Sequence, residues 1–541
     1  MLRNPKHVFG ASDITVPVHL NCGQFIVDKL QQNASKGTAF INGNTEEVTT
    51  YRQVAQEAVD AALSLARMGV KRGDTVAICS ENRPEFWGAF IGVACTGATV
   101  TLFNFAYTKD EMKHVLNTSK PKFVICSPSV KQTHAENFKD AGFVEKIIVF
   151  GSEVVEGALS WSELSRPAQA GPCAQFEAAA VAGQRDALCV LYSSGTTGLP
   201  KGVVLTHLNV LASLCSAEKT PDAIAPKEET FLTISPWFHA MGLITTMTNL
   251  VYGNRFVFLS KFELMLYLDT IQKYKVRKLT VVPPLLITLV KTETRQDLSS
   301  VREILCGAAP LSKEILASAN NRFPNLTKVQ QAYGMTECLS AVTGGYSSDD
   351  VSAKPGGVGS VARGMVVKVV DTKTRQALGP NQQGEICVTG PTIMKGYIGT
   401  DDKDYFDEEG FLKTGDIGYY DDDRCFFIVD RLKELINYKE FQVAPAEIEA
   451  VLLQHEAVRD AGVVEIQLTD GDEVPLAFVV TQSGMTATEK EIKDFVAKKL
   501  PNQKQLRGGV RFVTEIPKNL SGKILRKKLR VWAQESERKS T

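Results

Sequence analysis

Apolar residues at Val54, Ala58, Ala62, Leu63 and Ala66 recur at helical spacing and predict an amphipathic helix over about 51–68. Gly69 and Gly73 punctuate the chain after it, and residues 75–79 read as a short strand. Further strand-like runs lie at 123–125, 146–150, 187–191 and 279–282, with helical stretches such as 109–116 between them. Alternation of this kind predicts an α/β fold class with mostly parallel sheets. The pattern changes near Asp430-Arg431-Leu432-Lys433. Beyond it come a helix beginning near Pro445, strands at 461–465 and 476–480, and a helix near 489–499. That pattern predicts a small α+β domain on a hinge, dividing the chain into residues 1–430 and 431–541. Residues 165–182, rich in Ala, Gly, Pro and Gln, read as a surface connection.

Composition narrows the function classes. A chain of 541 residues with 44% hydrophobic content is too long for one core. Its formal net charge of zero gives no long-range attraction to nucleic acid or an anionic membrane, so a small-molecule partner is expected. The 11 cysteines are scattered, without CxxC pairs or Cys/His clusters at zinc spacing, which fits a reducing compartment. Residues 1–12 carry no apolar signal core, and the longest apolar run, 90–103, falls short of the roughly 18 residues of a membrane span. The cytoplasm is the expected location, and the sequon at Asn325 reads as chance.

The strongest local signal is Tyr192-Ser193-Ser194-Gly195-Thr196-Thr197-Gly198-Leu199-Pro200-Lys201-Gly202, directly after the apolar strand at 187–191. Glycines free the backbone to present N–H groups, hydroxyls add donors and Lys201 adds positive charge, a combination suited to a polyphosphate. The spacing is not that of a Walker A loop. Cys306-Gly307-Ala308-Ala309-Pro310 follows a strand-like run, and its small residues would let a flat ring lie against the backbone. Tyr333-Gly334-Met335-Thr336-Glu337, Lys413-Thr414-Gly415-Asp416, Trp237-Phe238-His239-Ala240-Met241-Gly242 and Asn519-Leu520-Ser521-Gly522-Lys523 complete the set of candidate segments.

Together and in this order, these segments resemble the adenylate-forming superfamily of acyl-CoA synthetases, coumarate-CoA ligases, peptide-synthetase adenylation domains and firefly luciferase, over about 39–530. The insect luciferase-like branch is the nearest in pattern. The resemblance implies a large N-terminal domain of αβ layers and a small C-terminal domain that rotates between two half-reactions. It implies that Ser193, Ser194, Gly195, Thr196, Thr197, Gly198 and Lys201 hold the β and γ phosphates of ATP. Gly307, Ala308 and Ala309 would border adenine, with Tyr333 and Gly334 beside it. Thr336 would bond the α-phosphate, Glu337 would hold Mg2+, and Asp416 with Arg431 would take the ribose hydroxyls. His239 would sit by the reacting carboxylate, and Lys523 would bind the charge that develops in adenylation. Met241, Cys306 and Ser340 would line the pocket for the acid, whose segments at 241–247, 281–286 and 340–342 suit an aromatic or aliphatic group.

Three departures bear on the second half-reaction and the substrate. Family members generally place a lysine at the position of Asn437 and a glycine at that of Glu440, where pantetheine passes in CoA ligases. Ser213 stands where beetle luciferases place an arginine near their luciferin, and the chain ends Arg538-Lys539-Ser540-Thr541 without a Ser-Lys-Leu-type peroxisomal address. The expectation is ATP- and Mg2+-dependent adenylation of a carboxylic acid. Oxidation of the adenylate by O2 with light, or transfer of the acyl group to CoA, would follow; a binding protein that finishes neither step is the third reading.

Overall fold

The computed structural model describes residues 4–12, 14–153, 155–165, 175–193, 199–216, 229–307, 311, 313–339, 341–344, 354, 356–439, 441–467, 473–519 and 522–540. The helix expected first along the chain spans Tyr51–Arg67. Its start is fixed by a reciprocal cap: Thr50 Oγ1 accepts from Gln53 N at 3.2 Å, and Gln53 Oε1 accepts from Thr50 N at 2.8 Å. Its buried stripe runs through Val54, Ala58, Val59, Ala62 and Leu65, while Ala66 faces solvent. The stripe packs on the helix Glu85–Cys95, so closely that a Cβ on Gly92 would lie 2.8 Å from Ala61 Cβ.

Two large sheets organise most of the chain. In the first, Leu159–Ser160, Lys146–Val149, Phe123–Cys126, Thr75–Cys79, Thr99–Phe103 and Ala187–Ser193 lie side by side and parallel. Lys201–Thr206 and Gly396–Tyr397 then close that edge antiparallel. In the second, Thr38–Asn42, Arg255–Phe258, Thr230–Thr233, Lys278–Val281, Glu303–Gly307 and Lys328–Gly334 run parallel, with antiparallel strands at both edges. The apolar run at 90–103 divides between the buried end of one helix and the strand Thr99–Phe103, as a core segment should. The largest hydrophobic cluster includes Trp87, Phe90, Trp237 and Phe256, all fully enclosed.

A third sheet was not foreseen by the alternation argument. Val366–Val370, Gly384–Thr389, Leu412–Tyr420 and Phe426–Arg431 form an antiparallel unit with no α-helix between its strands, and Val8–Phe9 from the start of the chain pairs on its edge. After it, Ile436–Tyr438 and Phe441–Val443 make a hairpin, and Val458–Gln467, Glu473–Thr481 and Val510–Phe512 make a small sheet. The helices Pro445–Leu452, Glu489–Lys499 and Arg526–Ser540 accompany it. These elements enclose hydrophobic clusters of their own, one around Ile448, Val463 and Val479 and another around Leu476, Phe478 and Leu529. The fold is therefore α/β with a large N-terminal and a smaller C-terminal part. Of the proposed surface connection at 165–182, residues 166–174 lie outside the described residues, while Ala179 N donates to Cys95 O at 2.8 Å. Among the described residues no helix is long and apolar enough to cross a membrane.

Candidate active site

A cavity of about 2970 Å3 runs between the second sheet, the helix Ala240–Tyr252 and the turn that carries Lys523. Ser193, Lys201, Gly307, Tyr333, Gly334, Thr336, Glu337, Asp416, Arg431, His239, Met241 and Lys523 all line it. Ser194–Gly198, Ala308, Ala309 and Ser340 lie outside the described residues.

One corner is built on the hairpin of Leu412–Tyr420 and Phe426–Arg431, whose register sets Asp416 opposite Arg431. Gly415 at φ +71 turns the strand there, and Thr414 Oγ1 accepts from Asp416 N at 3.1 Å. Arg431 Nε lies 2.8 Å from Asp416 Oδ1, and the Tyr333 hydroxyl donates to Asp416 Oδ2 at 2.6 Å. Burial, then the Asp416 charge, pushes the Tyr333 hydroxyl well above its usual range, so it stays a proton donor. The carboxylate is thus fixed by two donors on opposite oxygens and still faces the cavity.

The next group surrounds Glu337, which is 5% exposed in a tight turn, Thr336–Cys338. Tyr397 donates to Glu337 Oε1 at 2.7 Å, and Met394 N donates to the Glu337 carbonyl at 2.8 Å. Lys201 stands opposite Ser193 in the antiparallel pair that brackets the glycine-rich loop. Its ammonium lies 5.3 Å from the Tyr397 ring centroid and 5.0 Å from that of Tyr405, and donates to the Tyr405 hydroxyl at 3.3 Å. Among the described residues no group of three or more acidic, His or Cys side chains could by itself hold a metal. A single anionic oxygen pair at Glu337 fits Mg2+, which takes most of its ligands from phosphates and water.

The opposite end of the cavity is held by the Trp-Phe-His segment. Trp237 is fully buried, with its ring 4.8 Å from that of Phe258. Asn82 clamps the backbone beside it: Nδ2 donates to Ser235 O at 3.0 Å, and Oδ1 accepts from Trp237 N at 2.9 Å. His239 then caps the helix Ala240–Tyr252, and any side chain at Gly242 would run into the Pro236 carbonyl oxygen. Lys523 arrives from the other side on a turn closed by Asn519, whose Oδ1 accepts from Lys523 N at 2.9 Å. Gly522, at φ +80, brings that turn so close that a Cβ would lie 3.1 Å from Val282 Cγ2. Enclosure and then the Arg431 charge hold the Lys523 ammonium below the usual lysine range, while Asp416 pulls the other way. Burial and then Lys523 lower His239, favouring its neutral form.

The pocket differs from the sequence reading in its lining. Cys306 does not line the cavity: it is buried with Leu285, Leu286 and Leu311 behind the strand Glu303–Gly307. Alternation along that strand turns Leu305 and Gly307 to the cavity instead. Met241, Ile244, Thr245, Val282 and Ala341 line the cavity, whereas Met247, Leu285 and Leu286 belong to the core or to its edge. Polar groups the reading omitted, Thr280, Gln330, Asn249 and Lys278, share the wall. Ser213 is buried against the cavity, and its hydroxyl has no hydrogen-bond partner among the described residues. Tyr397, Tyr405 and Asn82 were also missed, because isolated tyrosines and an asparagine carry no spacing signal. Asn437 lies away from the cavity on an exposed hairpin, where its N and Nδ2 donate to Glu473 Oε2 at 2.7 and 3.3 Å, and Glu440 is outside the described residues.

The family model for AMP-binding enzymes matches residues 28–398, and that for the AMP-binding enzyme C-terminal domain matches residues 447–523. The chain is 39% identical over 529 residues to 4-coumarate–CoA ligase 2 of Nicotiana tabacum, covering 96% of this chain and 95% of the relative. It is 40% identical over 495 residues to luciferin 4-monooxygenase of Nipponoluciola cruciata, covering 90% and 89%. Among solved structures, o-succinylbenzoate coenzyme A synthetase of Bacillus subtilis, in complex with ATP and magnesium ion, superposes with a TM-score of 0.77 at 27% identity. That match covers 93% of this chain and 99% of the other.

Proposed function

As the chain belongs to the AMP-binding enzyme superfamily, the acyl-CoA synthetase and luciferase family, and is adenylate-forming, we propose that it activates an apolar or aromatic carboxylic acid with ATP and Mg2+. The observation that carries this reading is the position of Lys523, inside one cavity with Asp416, Tyr333 and Glu337 on one side and His239 and Met241 on the other. Residues 1–430 supply most of both binding surfaces, and residues 431–541, beginning with Arg431, act as the lid that delivers the lysine.

The carboxylate of the acid attacks the α-phosphorus, the bond to the β-phosphate oxygen breaks, and pyrophosphate departs. Asp416 accepts from the ribose hydroxyls, and Arg431 keeps it oriented. Lys201 and the glycine-rich loop hold the β and γ phosphates. Thr336 donates to an α-phosphate oxygen, while Lys523 offsets the charge that two anions share in the transition state. Neutral His239 orients the carboxylate without adding charge beside Lys523. Mg2+ held at Glu337 would neutralise phosphate charge and polarise the phosphorus.

For the second step we favour luciferase-type chemistry. The adenylate loses its acidic α-proton, the carbanion reduces O2, and the resulting peroxide oxygen displaces AMP. The strained ring then loses CO2 with light. Glu440 supports this reading, since it replaces the glycine that family members generally carry at the pantetheine passage, and oxidation needs no such passage. Transfer to CoA is the second reading, supported by the likeness to 4-coumarate–CoA ligases along nearly the whole chain. Incubation with ATP, Mg2+ and a panel of aromatic and fatty acids, with and without CoA, separates them when AMP, thioester and light are followed together. Thioester at ordinary turnover overturns the oxidative reading. Pyrophosphate release with light and no thioester supports it, and release of no pyrophosphate with any acid overturns adenylation itself.

A further inference from the structure

The segment 394–398 ties together two parts of the site that sequence reading treats separately. Met394 N donates to the Glu337 carbonyl, while Lys395 N and Ile398 N donate to Val204 O and Gly202 O, both at 2.9 Å. The same short strand pairs Tyr397 with Val203 beside the glycine-rich loop. From this position the Tyr397 side chain has two contacts of opposite charge. Its hydroxyl donates to Glu337 Oε1 at 2.7 Å, and its ring lies 5.3 Å from the Lys201 ammonium. Tyr405 braces it, with ring centroids 4.5 Å apart, and is itself tied to the Asp416 strand through Lys413 N donating to Tyr405 O at 2.8 Å.

We propose that Tyr397 is a positioning residue for adenylation, setting the Glu337 carboxylate through its hydroxyl and the Lys201 ammonium through its ring as one unit. The proposal rests on the adenylation reading. A carboxylate only 5% exposed needs a hydrogen-bond donor to be held in one orientation, and the hydroxyl satisfies one oxygen while leaving Oε2 for a cation. The ring face attracts Lys201 and keeps it near the phosphate end without neutralising it, as a carboxylate partner would. The charges that meet the metal and the terminal phosphates are thereby spaced before ATP arrives, and less ordering remains to be done on binding.

The test is Tyr397→Phe, which keeps the ring and removes the hydroxyl, compared with Glu337→Gln and the double variant. Binding of ATP is measured by calorimetry with and without Mg2+, next to pyrophosphate release as a function of Mg2+ concentration. Loss of one charge-assisted bond weakens binding of Mg·ATP about tenfold and moves the Mg2+ dependence upward by the same factor. Binding of ATP without Mg2+ stays within twofold, and Tyr397→Phe adds less than twofold in the Glu337→Gln background. An unchanged affinity for Mg·ATP overturns the proposal, as does an equal loss without Mg2+ or in the Glu337→Gln background, since each makes the tyrosine ordinary packing. Thermal unfolding of Tyr397→Phe within a degree or two of the parent excludes misfolding as the cause. If the parent protein itself binds no ATP, the adenylation reading fails first, an outcome distinct from any effect of the variant.

Discussion

The two ends of the cavity hold their charges in opposite ways. At the Asp416 corner both carboxylate oxygens are engaged, by Tyr333 and Arg431, and at Glu337 a tyrosine is in place. At the other end, the His239 ring and the Lys523 ammonium have no hydrogen-bond or ion-pair partner among the described residues, and both are pushed towards their neutral forms. On the proposed function, the contrast separates recognition from catalysis. Groups that bind unreactive parts of a substrate gain by being fixed in advance. A group that stabilises charge appearing only in the transition state gains by not being satisfied beforehand, since an existing partner would have to be given up.

The sharpest way to break the comparison is Lys523→Met. Pyrophosphate release should fall by about 10²–10³-fold, as when a principal charge-stabilising donor is lost. Stability should move the other way. The folded protein holds Lys523 below its ordinary 10.5, so at neutral pH the unfolded chain binds the proton more tightly and the charge opposes folding. The variant should melt higher than the parent near pH 7, with the gap closing as pH rises from the lowered folded value towards 10.5; calorimetric scans across pH check it. A lower melting point at neutral pH would mean that the lysine is satisfied after all.

Asp416→Asn should act chiefly on binding. On the proposed reading it removes the charged acceptor for the ribose diol and leaves Arg431 without its ion-pair partner, so the ATP dissociation constant should rise roughly 10- to 100-fold by calorimetry. Tyr333→Phe should have a smaller effect of the same kind. One buried donor is lost, with about 1 kcal/mol of stability and a severalfold rise in KM for ATP, while turnover at saturating ATP changes little. If Tyr333→Phe lowered turnover instead, the corner would be taking part in the chemistry. The smallest effect expected is on the acid side of His239. Because the folded state holds its proton less tightly than the ordinary 6.5, parent stability should decline as pH falls through 6.5, and His239→Gln should flatten that slope. The difference should be on the order of one or two degrees in melting point at pH 5.

Much of this was legible in the chain. The helix Tyr51–Arg67 follows from its apolar spacing, and the strands Thr75–Cys79, Phe123–Cys126 and Lys278–Val281 from short apolar runs between turns. Lys523 was another matter: in a basic tail one lysine looks like the next, and only the resemblance distinguished it. The misplacement of Cys306 has a local cause, since a one-residue difference decides which face of a strand a side chain occupies, and composition does not reveal the phase. Tyr397 could not have been found by spacing, because its role arises from the pairing of a two-residue strand with a segment almost two hundred positions earlier. The third sheet escaped for a related reason, its antiparallel strands lacking the intervening helices that mark parallel ones.

The register that sets Asp416 opposite Arg431 also limits how this stretch of chain can vary in length. Side chains on Phe426–Arg431 alternate between faces except where one extra residue, Val429, is taken up between the pairs Ile417–Asp430 and Gly418–Ile428; with that irregularity in place, a single further residue would carry the arginine to the wrong side, whereas two would bring it back. The turn between the strands, residues 421–425, lies outside that count. Over a lineage, the strand should therefore gain or lose residues in pairs, or through a bulge, while the turn drifts freely. The hairpin works as a frame of even and odd positions, and a gene encoding it carries a parity constraint invisible at any one codon.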